Sequence, residues 1–153
     1  MTRRSSRALR FAIGAAAWLL AAPAARAATS VPDWAAVADT GTIQIVATDA
    51  EGAKLERTIW LVVVDGRGYI RAGATSRWDQ GLDANPDVTV RIADVDYELR
   101  ATRIPEGLLY DQVTEAFRAK YGFSDALMSI VRGVGGTPRI LVLEARRGIP
   151  MGP

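Results

Sequence analysis

The chain contains no cysteine and no histidine. Without cysteine there are no disulfides, so the fold must hold by packing alone. Without either residue there can be no Ser-His-Asp triad, no Cys-His pair and no zinc centre ligated by His or Cys. Acidic residues are also missing from the first 27 positions, which carry arginines at 3, 4, 7, 10 and 26. Long apolar runs are scarce as well. The stretch from Phe11 to Ala22 spans about twelve residues, short of the roughly 20 that a membrane span needs.

These features together read as an export signal. Arg3, Arg4, Arg7 and Arg10 make a basic start, Phe11 to Ala22 the apolar middle, and Ala25-Arg26-Ala27 a small-x-small cleavage site. The expectation is a cleaved signal over residues 1–27 and a periplasmic or extracellular protein beginning near Ala28, with no membrane span after cleavage. Thr2-Arg3-Arg4, the alanine-rich middle and Arg26 fit the twin-arginine route, whereas Ser5-Ser6 fits the general one. Removing the signal reverses the charge. The whole chain has 19 Lys+Arg against 17 Asp+Glu. Five of the basic residues and none of the acids fall within 1–27, leaving 14 against 17, net −3. Nucleic-acid binding thereby loses its compositional support.

About 126 residues remain, enough for one domain with a core. Residues 28–41 read as a leader with one helical turn near Trp34. Thr42 to Thr48 alternates as a first strand, and Arg57 to Val64 reads as a strand buried on both faces. Asp65-Gly66 signals a hairpin into a third strand, Gly68 to Ala72. Trp78, Leu82 and Asn85 fall at helical spacing within 73–86, before Pro86 stops the run. Val88 to Ile92 and Tyr97 to Ile104 read as strands four and five, with a turn at 93–96 that would set Arg91 against Glu98. Pro105 should open a helix that packs on the outside of the barrel over Leu108 to Lys120, with the apolar face Leu109, Val113, Ala116, Phe117 and Tyr121. Ser124 could cap a second one, Asp125 to Arg132, closed by Gly133. A Gly133–Gly136 loop, a sixth strand from Arg139 to Glu144 and a loose 145–153 tail complete the chain. The fold class expected is α+β: a six-stranded antiparallel barrel over 42–144 with peripheral helices.

One run is more specific. Arg57-Thr58-Ile59-Trp60, Asp65-Gly66, Tyr69-Ile70-Arg71, Ser76-Arg77-Trp78 and Leu82-Asp83-Ala84-Asn85-Pro86-Asp87-Val88-Thr89-Val90 follow in order. This resembles the split-barrel flavin-binding superfamily, which includes pyridoxamine-phosphate oxidases, deazaflavin-dependent nitroreductases and bacterial domains of unassigned function. The resemblance implies a cofactor, FMN or a deazaflavin of the F420 type. It implies that Arg57 reaches the cofactor phosphate and that Thr58, Ile59 and Trp60 border its ring. Ser76 and Arg77 match the phosphate-holding run of the oxidases, where Trp78 replaces a lysine. Trp78 instead matches the tryptophan that precedes Leu-x-Ala-Asn-Pro in the deazaflavin branch. That branch often has Asn at the position of Gly81 and an upstream Gly-Arg-Lys-Ser-Gly run, neither of which is present. The resemblance also implies a homodimer with each cofactor enclosed by both chains.

The residues alone permit such a site. Arg57, Arg71 and Arg77 can supply forked donors to a phosphate, and Ser76 or Thr75 a hydroxyl. A helix starting near Ser76 would add free N–H groups, and Trp60 or Trp78 a flat apolar wall. Each residue has a plainer alternative: Trp60 as core, Trp78 as packing, Arg57 or Arg77 as surface charge, Asn85-Pro86 as a helix end. Asp65, Asp79 and Asp83 read as turn or polar-face carboxylates with nothing pairing them. The apolar Ile59–Val64 strand asks for cover on both faces, from a second subunit or from the Leu109–Phe117 helix. Two functions stay open: a redox enzyme acting on a small molecule, and a non-catalytic barrel binding a ligand or partner.

Overall fold

Strand β1 (Thr42–Thr48) buries Ile43, Ile45 and Ala47 and turns Thr42 and Gln44 outward, the alternation of a half-buried strand. The computed structural model describes residues 31–73, 76–131 and 137–146, without the side chains of 123–131. The export signal, most of the leader, Thr75, the Ser124 cap, the 133–136 loop and the 147–153 tail lie outside the described residues. Among those described, no helix is long and apolar enough to cross a membrane.

Strand β2 (Lys54–Val64) starts three residues before the expected Arg57 and changes partner along its length. Residues 54–60 pair with β1, from Thr48↔Lys54 to Thr42↔Trp60. Residues 61–64 pair instead with β3 (Arg67–Ala72), from Leu61↔Ile70 to Val64↔Arg67. Strands β4 (Asp87–Ile92), β5 (Val95–Arg103) and β6 (Arg139–Ala145) complete an antiparallel barrel closed in the order β1-β2-β3-β6-β5-β4. The expected six-stranded antiparallel barrel is the observed fold.

Two apolar clusters explain why β2 reads as continuously hydrophobic. Leu61 and Val63 face the barrel interior with Ile43, Ile45, Ile70, Val90, Leu99 and Leu141. Val62 and Val64 face outward, where Tyr69, Ile140 and Val142 meet Val113 and Phe117 of helix α1 (Leu108–Val131). The helix therefore covers the outer face of β2 within one chain, and that face does not call for a second subunit. Trp34 closes one end of the barrel against Gly68, where a Cβ would lie 2.3 Å from the indole. Trp78 and Leu82 fill the interior from the loop that follows β3.

The helix departs from expectation in its apolar face and at its C-terminal end. It starts at Leu108, and Leu109 stays exposed while Tyr110 packs against the barrel with Ala116 and Tyr121. Leu109 lies a quarter-turn off the Tyr110, Val113, Phe117, Tyr121 line, which follows the helical period more closely. Gly122 (φ 49°, ψ −124°) breaks the helix, so the two helices expected from sequence meet there rather than near Ser124. The helix expected within 73–86 shortens to one 3-10 turn, Gln80–Asp83. Trp78 and Leu82 are drawn into the barrel and the Asp79 carboxylate is held by Arg139, which bends the segment away from regular coiling.

The β4–β5 turn is tighter than the expected 93–96. Ala93 (φ 47°) and Asp94 (φ 63°) form it alone, with the left-handed backbone of a two-residue hairpin. Arg91 therefore faces Asp96, and forks its carboxylate at 2.7 and 3.0 Å. Glu98, its expected partner, sits opposite Thr89 and binds that hydroxyl and Arg146. Ala93 carries a Cβ where the turn favours Asn, and Asp94 one where it favours Gly. Replacing Ala93-Asp94 by Asn-Gly should stabilise the protein by roughly 1 kcal/mol. The urea midpoint should rise with its slope unchanged.

Candidate functional site

At one end of the barrel β2 outruns β3. Because Leu61 pairs with Ile70 and β3 ends at Ala72, residues 54–58 of β2 extend past the end of β3. The loop from Gly73 leaves from that same end. Topology thus brings Arg57 and Thr58 to the end of the barrel that also carries Ser76 and Arg77. Arg57 and Thr58 are exposed there, and the Arg57 guanidinium donates to the Glu56 carbonyl at 2.7 Å. Ile59 is half-buried against the interior cluster.

The other sequence-selected residues separate from this group. Trp60 stacks on Tyr121, with ring centroids 4.4 Å apart and planes 6° from parallel. Arg71 lies under α1 beside it, its guanidinium 4.9 Å from the Phe117 centroid and 5.9 Å from that of Trp60. Trp78 is 6% exposed and belongs to the barrel interior. Both tryptophans thus have packing roles, and Trp60 has a neighbour on one ring face already. The helix start expected near Ser76 is absent, since the 3-10 turn begins at Gln80. No helical N–H groups are therefore presented at Ser76.

Sequence reasoning missed what holds this end together. Asp79, read as a turn carboxylate without a partner, is fully buried. Arg139 forks it, Nε to one oxygen and Nη2 to the other at 2.8 Å, and Nη2 also donates to the Gly73 and Ser76 carbonyls. The Asp79 contact holds the Arg139 guanidinium above its ordinary pKa. Arg103 donates to the Asp79 carbonyl at 3.3 Å and pairs with Asp83 at 3.1 Å. The one available signal was position: Arg103 and Arg139 end β5 and start β6, at the barrel end the loop must cross. Gly81 reflects the same closeness, since a Cβ there would lie 2.1 Å from the Thr48 carbonyl oxygen.

A second polar knot marks where β1 leaves β2. The Tyr121 hydroxyl accepts the Leu61 N–H and donates toward the Gly41 and Leu61 carbonyls. Lys120 Nζ donates to the carbonyls of Ala38, Thr40 and Leu61. These groups replace ladder bonds that β1 no longer supplies. Burial pushes the Tyr121 phenol above its ordinary range and Lys120 below its own.

An open groove of about 690 Å³ flanks the loop on its other side, along Asp83, Arg100, Thr102 and Glu144. Its walls are mainly polar, unlike the apolar sites that enclose flat cofactors. Among the described residues no cluster of three or more acidic side chains could hold a metal ion.

Comparison with known proteins places this geometry. HutZ of Vibrio cholerae, a heme storage protein, aligns at 16% identity and a TM-score of 0.54, over 70% of this chain and 82% of its own. A putative pyridoxamine 5'-phosphate oxidase from Listeria innocua aligns at 12% and 0.55, over 74% and 90%. An F420-H2 dependent reductase aligns at 17% and 0.52, over 69% and 95%. At these identities the likeness is one of fold, the split barrel. The comparison with curated proteins finds no match. The profile of a family described as uncharacterized proteins conserved in bacteria, DUF2255, matches residues 33–135, and the chain belongs to that family.

Proposed function

We propose that this protein binds a phosphate-bearing flavin or deazaflavin at the barrel end where β2 outruns β3 and serves as an exported oxidoreductase acting on a small molecule. The observation that supports this is one of topology: the register puts the overhang of β2, with Arg57 and Thr58, at the barrel end from which the loop carrying Ser76 and Arg77 departs. The Arg57 and Arg77 guanidinium groups and the Ser76 hydroxyl suit a phosphate, Thr58 lies on the other face of β2, and half-buried Ile59 offers an apolar border for a ring. Trp60 and Arg71 pack under α1 and Trp78 packs in the barrel interior, so these three serve the fold rather than the ligand. A bound flavin or deazaflavin would supply hydride chemistry; the protein binds it and orients it. The basic and apolar segments of residues 1–27 support export, and nothing in the proposal involves nucleic acid.

The alignments with an F420-H2 dependent reductase and a putative pyridoxamine-phosphate oxidase support this cofactor class. A haem, as the HutZ likeness could suggest, fits the chain less well. Haem iron takes His, Cys, Met or Tyr, and His and Cys are absent. Of the four tyrosines, Tyr69 is buried under α1, Tyr97 packs against the interior cluster, and the hydroxyls of Tyr110 and Tyr121 are engaged by backbone carbonyls; the methionines, Met1, Met128 and Met151, lie outside the side chains described. The packed positions of Trp60 and Trp78 favour a second reading, a non-catalytic barrel that binds a ligand or partner without redox turnover.

The test is a titration of the protein with FMN and with F420, followed by absorbance and by light scattering. Binding should appear for one of them. Arg57→Ala, Ser76→Ala and Arg77→Ala should each weaken it by roughly 1.5–3 kcal/mol, the range for hydrogen bonds to charged groups. The overhang is an open edge and does not by itself enclose a ring, so the bound form should have the mass of a homodimer, with a second copy closing the site. Absence of affinity for both cofactors would remove the proposal.

A further inference from the structure

We infer that Asp79 and Arg139 are positioning residues for phosphate recognition, acting through the backbone of the 73–83 loop that carries Ser76 and Arg77; the inference rests on the ligand reading above. Asp79 is the charged residue that folding buries completely among those described. Burying a carboxylate is costly, and an ion pair in such a place generally does little more than offset that cost. An apolar side chain at position 79, beside Trp78 and Leu82, would hold a simple connection equally well. What the pair adds is direction.

The Arg139 fork is planar and rigid. While gripping both Asp79 oxygens, it also binds the Gly73 carbonyl at 3.1 Å and the Ser76 carbonyl at 3.2 Å. Arg103 holds the Asp79 carbonyl and the Asp83 carboxylate. The Ser76 N–H returns to the Gly73 carbonyl at 2.9 Å. The backbone on both sides of Arg77 is thereby tied to β5 and β6. Arg77 itself is exposed, and its guanidinium makes no hydrogen bond or ion pair with a described residue. A guanidinium without a partner, carried on backbone anchored before and after it, is a donor whose ordering cost is largely met before a ligand arrives.

FMN and riboflavin differ by the phosphate alone, which allows this to be read directly. Each is titrated against the protein by quenching of flavin fluorescence, beside a thermal melt; F420 and its phosphate-free chromophore form a second pair. Asp79→Asn should weaken FMN or F420 roughly ten-fold, the scale of one charge-assisted contact, and leave the phosphate-free partner unchanged. Arg139→Lys keeps a charge but not the fork, so it should shift the same ratio in the same direction, and it decides the matter if Asp79→Asn does not fold. A lower melting temperature with an unchanged phosphate preference in the folded variants would overturn the inference and leave the ligand reading standing. No binding of either pair by the unsubstituted protein, or equal binding with and without phosphate, would overturn the ligand reading and this inference with it.

Discussion

Truncating Phe117 to alanine should lower the unfolding free energy by about 3–5 kcal/mol, the range for deleting a buried aromatic. The ring is fully buried between α1 and the outer wall of the barrel. It lies 6.0 Å from the Tyr121 ring and carries the Arg71 guanidinium over its face. Its removal leaves a cavity flanked by strands β2, β3 and β6 and the helix, none of which can easily collapse into it. Against a typical total of 5–15 kcal/mol for a domain, the loss is large. Urea denaturation followed by circular dichroism would measure it. A change under about 1 kcal/mol would mean that α1 is not part of the cooperative fold.

Arg139→Ala should cost nearly as much for a different reason. The substitution leaves the buried Asp79 carboxylate without its fork, and removing one partner of a buried ion pair typically costs about 3–5 kcal/mol. Arg103, 3.7 Å from the same carboxylate, should hold the loss near the lower end. Asp79→Asn alone should cost less, since Arg139 is partly exposed and can be solvated. The decisive comparison is a double-mutant cycle. Arg139→Ala combined with Asp79→Asn should be more stable than Arg139→Ala alone, because no buried charge remains. Strict additivity of the two changes would show that they do not act as a pair.

The split between what the chain dictates locally and what the fold decides is visible in particular residues. The period-2 alternation of β1 and β4 and the Asp65-Gly66 turn are local properties, and each element formed where its residues placed it. The six-stranded antiparallel barrel was expected from them, although short turns join only β1–β2, β2–β3 and β4–β5, and the pairing of β3 with β6 and of β1 with β4 comes from closure. The exclusion of histidine- and cysteine-based catalysis was equally legible, since neither residue is present.

Tertiary structure decided the rest. Periodicity counts apolar residues but not their partners, so it showed that β2 needed cover on both faces without saying that α1 supplies it. Helical spacing of Trp78, Leu82 and Asn85 suggested a helix; the barrel end claimed Trp78 and Leu82 and reduced the segment to one turn. A difference of two residues in turn length moved Arg91 from Glu98 to Asp96, because register propagates along a hairpin. The Asp79–Arg139 pair spans 60 positions of sequence, and no local pattern marks a carboxylate whose partner sits on a neighbouring strand that forms so much later in the chain. Residue types and their order set the strands and the available chemistry. Closure of the barrel alone determined which side chains became neighbours, since contacts between distant segments exist only once every strand has found its place.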